Sequence, residues 1–191
     1  MIEVKYRGPL SENQLLQLRR YLKKRGKLVN ANNEKVVYFE TSIFPQIGDF
    51  MTGFSRLSLK STPSGSVFRI KQGNPSDSER KEKAVRIRKK DCPNLLYILD
   101  QLGLKYGYFR PAYREDFLLS KFTVSIKTKC VMGNHFEVDL KQGISVDDPI
   151  VQGVLKACKL NFWTMEKYQK KINANIKRVP AIAVYESKLW E

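Results

Sequence analysis

The sequence is poor in the residues that build most metal and nucleophile sites. Of its 191 residues only His135 is a histidine, and the three cysteines, Cys92, Cys130 and Cys158, form no C-x-x-C pair. Structural zinc sites use clustered cysteines and histidines, and a cysteine nucleophile needs a histidine partner. We therefore expect neither kind of site, and we interpret the cysteines as reduced, mostly buried thiols.

Long apolar runs are also missing. No apolar stretch reaches the roughly 18 residues of a membrane-spanning helix, and the opening residues, MIEVKYRG, lack the apolar core of a secretion signal. These features predict a cytoplasmic protein with no membrane partner. Because no repeat or long linker is visible, we expect a single domain over residues 1–191, with a helical C-terminal part at about 149–178.

Acidic residues are scarce relative to basic ones. The chain has 35 Lys and Arg against 19 Asp and Glu, which gives a formal net charge of +16. A protein of this charge attracts anions such as nucleotides, polyphosphate or nucleic acid, and the charge alone does not distinguish among them.

Alternation of apolar and polar residues is abundant and is typical of strands with two different faces. It predicts strands at 2–6, 35–40, 56–60, 67–71, 84–88, 108–114, 122–127 and 136–140, although Pro111 requires an edge, a bulge or a break. Capping signals and helical spacing predict helices from Ser11 to Gly26, at about 94–102, after Asp148 and after Thr164. This order indicates an α+β fold with an antiparallel sheet.

Basic side chains dominate the polar face of these strands. Because side chains on one face repeat every two residues, we assign the following cations to it. They are Lys5, Arg56, Lys60, Arg69, Lys71, Arg86, Arg88, Arg110 and Arg114. The face is either simply solvated or, if the sheet curls, the lining of a lumen that binds an anion. Like charges repel one another on an open face, which favours the lumen.

A triphosphate is an anion that matches such a lumen, because Arg and Lys both bind phosphoryl oxygens. The first and last strands supply the carboxylates Glu3, Glu137 and Asp139 to this face, and Glu82, from the strand that carries Arg86 and Arg88, is a fourth. Carboxylates suit Mg²⁺ or Mn²⁺, which binds a few of them together with substrate phosphates and would activate water for in-line attack. In this hypothesis Glu3, Glu137 and Lys71 are the catalytic residues.

The order of the motifs resembles the CYTH, or triphosphate tunnel metalloenzyme, superfamily. Its E-x-E-x-K, Y-F-D, L-R-x-R and L-T-x-K strands are similar to residues 1–5 (MIEVK), 38–40 (YFE), 56–60 (RLSLK) and 68–71 (FRIK). Its R-x-E strand, leucine-glycine helix end, K-x-R-x-x-Y strand and G-x-x-x-E-x-E strand are similar to residues 80–82 (RKE), 102–103 (LG), 112–117 (AYREDF) and 133–139 (GNHFEVD). Tyr168 matches a tyrosine of the family's last helix.

The resemblance covers about residues 1–170 and implies an eight-stranded antiparallel β-barrel, or tunnel, with a charged lumen and flanking helices. It also implies a metal-dependent triphosphatase that is a monomer or a homodimer. The chain departs from the family pattern at Met1, Ala112 and Lys127, which stand in place of a glutamate, a phosphate-binding lysine and an acidic residue. These departures affect the metal site and turnover more than anion binding.

Several functions remain open at this point. The substrate is inorganic triphosphate, a nucleoside triphosphate, thiamine triphosphate or an RNA 5′ end, with nucleic acid a further partner for the basic surface. Alternatives are cyclisation of ATP, as in class IV adenylyl cyclases, a non-catalytic tunnel that binds nucleotide, polyphosphate or nucleic acid, and a nucleic-acid-binding β domain. The last would stack bases on exposed aromatics, whereas Phe39, Phe68, Phe122 and Phe136 fall on the apolar face.

Overall fold

The computed structural model describes residues 4–39, 55–72, 81–141, 143–175 and 178–186. The predictions made for Met1, Glu3, Glu40 and Arg80 lie outside these residues, and so does the side chain of Arg56.

The described residues contain nine strands and five α-helices. The strands are β1 (Val4–Pro9), β2 (Lys27–Phe39), β3 (Ser55–Thr62), β4 (Gly65–Gln72), β5 (Lys81–Ile87), β6 (Tyr106–Leu119), β7 (Phe122–Thr128), β8 (His135–Leu140) and β9 (Arg178–Pro180). The helices are α1 (Glu12–Arg25), α2 (Cys92–Gln101), α3 (Pro149–Ala157), α4 (Met165–Asn175) and α5 (Ala181–Glu186). A short 3₁₀ helix, Lys89–Asp91, precedes α2.

The strands pair in the order β1-β8-β7-β6-β2-β3-β4-β5, with β9 attached to β6. The described registers between neighbours are antiparallel. This confirms the predicted α+β class with an antiparallel sheet. The strands β1 and β5 end the order, and no pairing among the described residues joins them, so closure into a barrel stays a prediction.

Local signals fix the ends of the helices. The side chain of Ser11 accepts a hydrogen bond from the backbone N–H of Gln14, whose own side chain accepts one from the backbone of Ser11, and α1 stops at Gly26. This is the predicted capping box, and it satisfies two of the donors that a helix start leaves open. Asp148 caps α3 by accepting a hydrogen bond from the backbone of Ile150 at 2.8 Å.

The chain forms two compact units, each with its own apolar core. The first unit contains residues 1–32 and 112–171, and its core joins Leu18 and Leu22 of α1 to the apolar face of β6, β7 and β8. Apolar residues of α3 complete that core. The burial of these faces is the main source of stability, because apolar surface is removed from water.

The second unit contains residues 33–111 and 172–191. Its core joins Val37 and Phe39 of β2 and Leu59 of β3 to buried residues of α2 and α5. In β6, Pro111 falls between the segment that pairs with β9, residues 106–108, and the segment that pairs with β7, residues 113–119. A proline cannot donate to a ladder, and neither of these two pairings includes residue 111. Among the described helices none is long and apolar enough to cross a membrane.

Candidate functional site

The strands of the first unit have a polar face opposite their core. Phe136, Val138 and Leu140 of β8 are buried in the core, so the alternate residues of β8 project to the other side. The same alternation applies to β1, β7 and the end of β6. We call this surface the carboxylate face, and its charged members are Lys5, Arg7, Arg114, Asp116, Lys127, Glu137 and Asp139.

Glu137 lies near the centre of the carboxylate face and is 2% exposed. Arg7 donates from Nε to Glu137 Oε1 at 2.8 Å, and Lys127 Nζ lies 3.2 Å from Glu137 Oε2. Beside them Lys5 Nζ donates to Asp139 Oδ2 at 2.7 Å. Among the described residues three cations therefore hold two carboxylates, which offsets the cost of burying these charges.

A second polar cluster joins β6, β7 and β2 on the same face. Arg114 donates from Nε to Asp116 Oδ1 at 2.6 Å and from Nη2 to Ser125 Oγ at 3.1 Å. Ser125 donates to the same Asp116 oxygen at 2.5 Å, and Asn30 donates to the other at 3.0 Å. Arg114, a predicted phosphate-binding residue, is thus held in place by three strands. Asp116 and Ser125 were not predicted as site residues.

Aromatic side chains support the carboxylate face from α4 and the segment before it. The guanidinium of Arg7 lies 5.0 Å from the ring centroid of Tyr168, and Tyr168 stacks on Trp163 with centroids 5.7 Å apart. Arg7 is therefore fixed between a ring and Glu137. The sequence prediction omitted Arg7, although it shares the parity of Lys5. The signal was missed because strand β1 was predicted to end at residue 6, whereas it continues to Pro9.

The only histidine contacts a cysteine. His135 is fully buried at the start of β8, and its Nδ1 lies 3.4 Å from Cys130 Sγ. Both groups also contact the carbonyl oxygen of Gly133, at 3.0 Å from Nδ1 and 2.9 Å from Sγ. The spacing of Cys130 and His135 does not predict this contact, which forms because the turn between β7 and β8 folds Cys130 back onto the strand.

The second unit has a polar face of its own on β3, β4 and β5. Lys60 Nζ lies 2.7 Å from Glu34 Oε2, and Glu82 takes two cations, with Lys71 Nζ at 2.6 Å and Arg69 Nη1 at 3.5 Å. We call this surface the lysine-arginine face, and its charged members are Glu34, Lys60, Arg69, Lys71, Glu82 and Arg86.

Two further predicted cations belong to the second unit. Arg86 is an exposed member of β5, on the lysine-arginine face. Arg110 is 8% exposed and points away from the core, because its neighbour Phe109 packs against the core.

Two predicted site residues lie in other surroundings. Arg88 follows the end of β5, directly before the 3₁₀ helix, and pairs at 2.6 Å with Asp91, the last residue of that helix. Glu82 belongs to the second unit, whereas Glu137 and Asp139 belong to the first. Ala112, where the family has a phosphate-binding lysine, is buried.

The carboxylate face suits a metal that arrives with phosphate rather than one held by protein alone. Within the described ranges no group of three or more His, Cys, Asp or Glu side chains is placed to hold an ion. Glu137 and Asp139 supply two carboxylates on one strand face, and Mg²⁺ commonly takes one or two carboxylates and completes its shell with phosphates and waters. These two carboxylates therefore fit such an ion together with an anion.

Comparison with known proteins supports the fold. No family model and no curated protein sequence matches the chain. Among solved structures, a candidate adenylate cyclase from Bacillus halodurans is similar, with a TM-score of 0.62 at 16% identity over 88% of this chain and 96% of that one.

Two further solved structures share the fold. One is a candidate adenylyl cyclase from Hippeastrum, described as having a dominant triphosphatase activity, with a TM-score of 0.53 at 14% identity over 97% and 94% of the two chains. The other is a chain of the Schizosaccharomyces pombe Mediator head module, with a TM-score of 0.52 at 12% identity over 94% and 100%. These likenesses show that the chain shares its fold with the three structures.

Proposed function

We propose that the chain is a metal-dependent triphosphatase that binds the triphosphate group of its substrate on the polar faces of its sheet. The observation that carries the proposal is the pair of carboxylates Glu137 and Asp139, held by three cations on a strand face that is neither core nor open surface. A protein gains little stability from such a group, since apolar residues would pack there at lower cost. An anionic substrate and its metal give the arrangement a use.

In this proposal each class of side chain has a distinct task. Arg114 and the cations of the lysine-arginine face bind phosphoryl oxygens, with the guanidinium offering two parallel donors. Glu137 and Asp139, with Glu3 as the third predicted ligand, would hold Mg²⁺ or Mn²⁺, and the ion when bound neutralises charge on the phosphoryl group. Asp116 and Ser125 fix the orientation of Arg114, and Tyr168 fixes that of Arg7. Closure of the sheet into a tunnel around the substrate is part of the proposal.

The test is phosphate release from inorganic triphosphate, ATP, thiamine triphosphate and a 5′-triphosphorylated RNA, each with Mg²⁺ or Mn²⁺. We expect metal-dependent release that falls by at least about 100-fold in Glu137→Gln, because that change removes a metal ligand. Glu166→Gln is the matched control, since Glu166 is an exposed residue of α4 paired only on the surface with Lys170. Release that needs no metal, or that survives Glu137→Gln, contradicts the proposal. Cyclic AMP as the product from ATP would identify a cyclase instead.

A second candidate is a non-catalytic protein that binds nucleotide, polyphosphate or nucleic acid. Lys127 favours this candidate. It stands where the family pattern has an acidic residue, and it forms an ion pair with Glu137. A chain of the Mediator head module also has this fold. Tight binding of triphosphate with no release of phosphate from any of the substrates would support this candidate.

A further inference from the structure

The carboxylates of the carboxylate face are already neutralised by cations of the chain itself. The side chain of Glu137 is 3% exposed and that of Lys127 is 7% exposed, so their ion pair is shielded from water. Arg7 and Lys5, at 25% and 22%, close the group toward β1. These are not loose surface pairs, which contribute little and exchange freely.

A divalent cation that approached this group alone would meet two obstacles. It would have to displace Lys127 or Arg7 from Glu137, and it would add two positive charges beside three that are present. Charges this close and this poorly solvated interact strongly and are weakly screened by salt. Moving Lys127 off Glu137 without giving it another partner would also leave a buried ammonium uncompensated.

A triphosphate removes both obstacles. Its oxygens accept hydrogen bonds from ammonium and guanidinium groups, and these charge-assisted bonds are stronger than neutral ones. When Lys127 and Arg7 turn to the phosphate, the oxygens of Glu137 become available to a metal. The added negative charge also reverses the sign of the local field.

We propose that in the free protein the ammonium group of Lys127 blocks the carboxylate of Glu137 as a metal ligand. Metal and triphosphate therefore bind only together. The inference rests on the proposed function and concerns the order of binding at the same site. Because linkage is reciprocal, the metal must strengthen triphosphate binding by the same factor as triphosphate strengthens metal binding.

The test measures Mn²⁺ bound to the protein by electron paramagnetic resonance, with no triphosphate present. We expect weak binding by the wild type and binding at least about tenfold tighter by Lys127→Met, because the variant frees one oxygen of Glu137 and removes a positive charge. Lys121→Met, an exposed change in the turn between β6 and β7, removes the same charge and should leave the affinity unchanged. If Lys127→Met melts below the assay temperature, Lys127→Gln replaces it, because its neutral amide removes the positive charge and leaves only a weaker donor for the metal to displace from Glu137.

Calorimetric titration with metal-free triphosphate and with its Mn²⁺ complex separates the two possible failures. Tighter binding of the complex than of the metal-free anion by the wild type supports the inference. If the wild type binds neither form, the proposed function itself fails. If it binds both equally, or if the wild type without triphosphate binds Mn²⁺ as tightly as Lys127→Met does, the inference is overturned and the triphosphate site stands.

Discussion

Glu137 is 2% exposed, and each of its carboxylate oxygens lies in an ion pair with a different strand. A buried carboxylate without such partners would be costly, so the cations are needed for folding as well as for any chemistry. The same three side chains, Arg7, Lys127 and Glu137, are therefore structural in the free protein, and we propose that they exchange partners only when an anion replaces the carboxylate.

Two of the three thiols give a prediction about pH at the residue scale. Burial raises the pKa of both Cys92 and Cys158. The unfolded chain ionises its thiols near pH 8.5, before the folded chain does, so it binds fewer protons above that pH. The stabilisation that the neutral thiols provide is complete below about pH 8.5 and is lost as pH rises toward the folded pKa. We expect the free energy of unfolding to fall on going from pH 7.5 to pH 10 as measured by urea denaturation.

The control for this prediction is the double variant Cys92→Ala, Cys158→Ala. It is expected to be less stable at neutral pH because it leaves small cavities. Its alkaline loss of stability should nevertheless be smaller than that of the wild type. Equal losses in the two proteins would show that the buried thiols do not contribute.

Single residues were predicted well where a two-residue period decides their face. Lys5, Glu137 and Asp139 share a face as predicted, because the register of β1 with β8 preserves that period. Asp116, Ser125 and the contact between Cys130 and His135 could not be predicted, since they depend on which strands and turns become neighbours. Which residues bind substrate is still a prediction.

At the scale of elements, helix ends were predictable and strand lengths were not. The capping residues Ser11 and Asp148 act within a few residues of chain, so the sequence contains the whole signal. By contrast β2 begins at Lys27, eight residues before its predicted start at 35. The prediction missed this first part because it is mostly exposed and its sequence shows no regular alternation of apolar and polar residues. Such a segment becomes a strand through pairing with a distant partner rather than through local preference.

Two glycines test how closely the elements pack. A Cβ placed on Gly107 of β6 would lie 2.7 Å from the carbonyl oxygen of Tyr38 and 2.7 Å from Cγ1 of Val37 in β2. Gly107→Ala should therefore destabilise the protein by about 1–3 kcal/mol through overpacking. Gly153 in α3 has open space, with Tyr21 Oη at 3.9 Å as the nearest atom. Gly153→Ala should stabilise by roughly 0.5–1 kcal/mol, because glycine is a poor helix former.

Urea denaturation of both glycine variants checks this pair of expectations. The opposite signs make the comparison informative, since both changes add a single methyl group. A stable Gly107→Ala variant would mean that β2 and β6 do not approach as closely as described.

At the scale of the whole molecule, the sequence predicted an antiparallel α+β fold, which the structure has and which the solved structures share. Motif order conveyed this, because a series of weak patterns in the right order is more specific than any one of them. Closure of the sheet could not be derived from alternation, which is the same in an open and a closed sheet. The net charge of +16 attracts anions to any part of the surface, so attraction alone is not evidence for a site.

The most direct test of the account is calorimetric titration of the Mn²⁺ complex of inorganic triphosphate into the wild type and two double variants. One variant, Arg69→Gln with Lys71→Gln, removes two cations of the lysine-arginine face. The other, Lys23→Gln with Lys24→Gln, removes two exposed cations from the last turn of α1. Both lower the net charge equally. The account predicts that the first variant binds at least about tenfold more weakly than the wild type while the second binds equally. Equal weakening in the two variants would show that triphosphate is attracted by net charge alone, and it would contradict a built site.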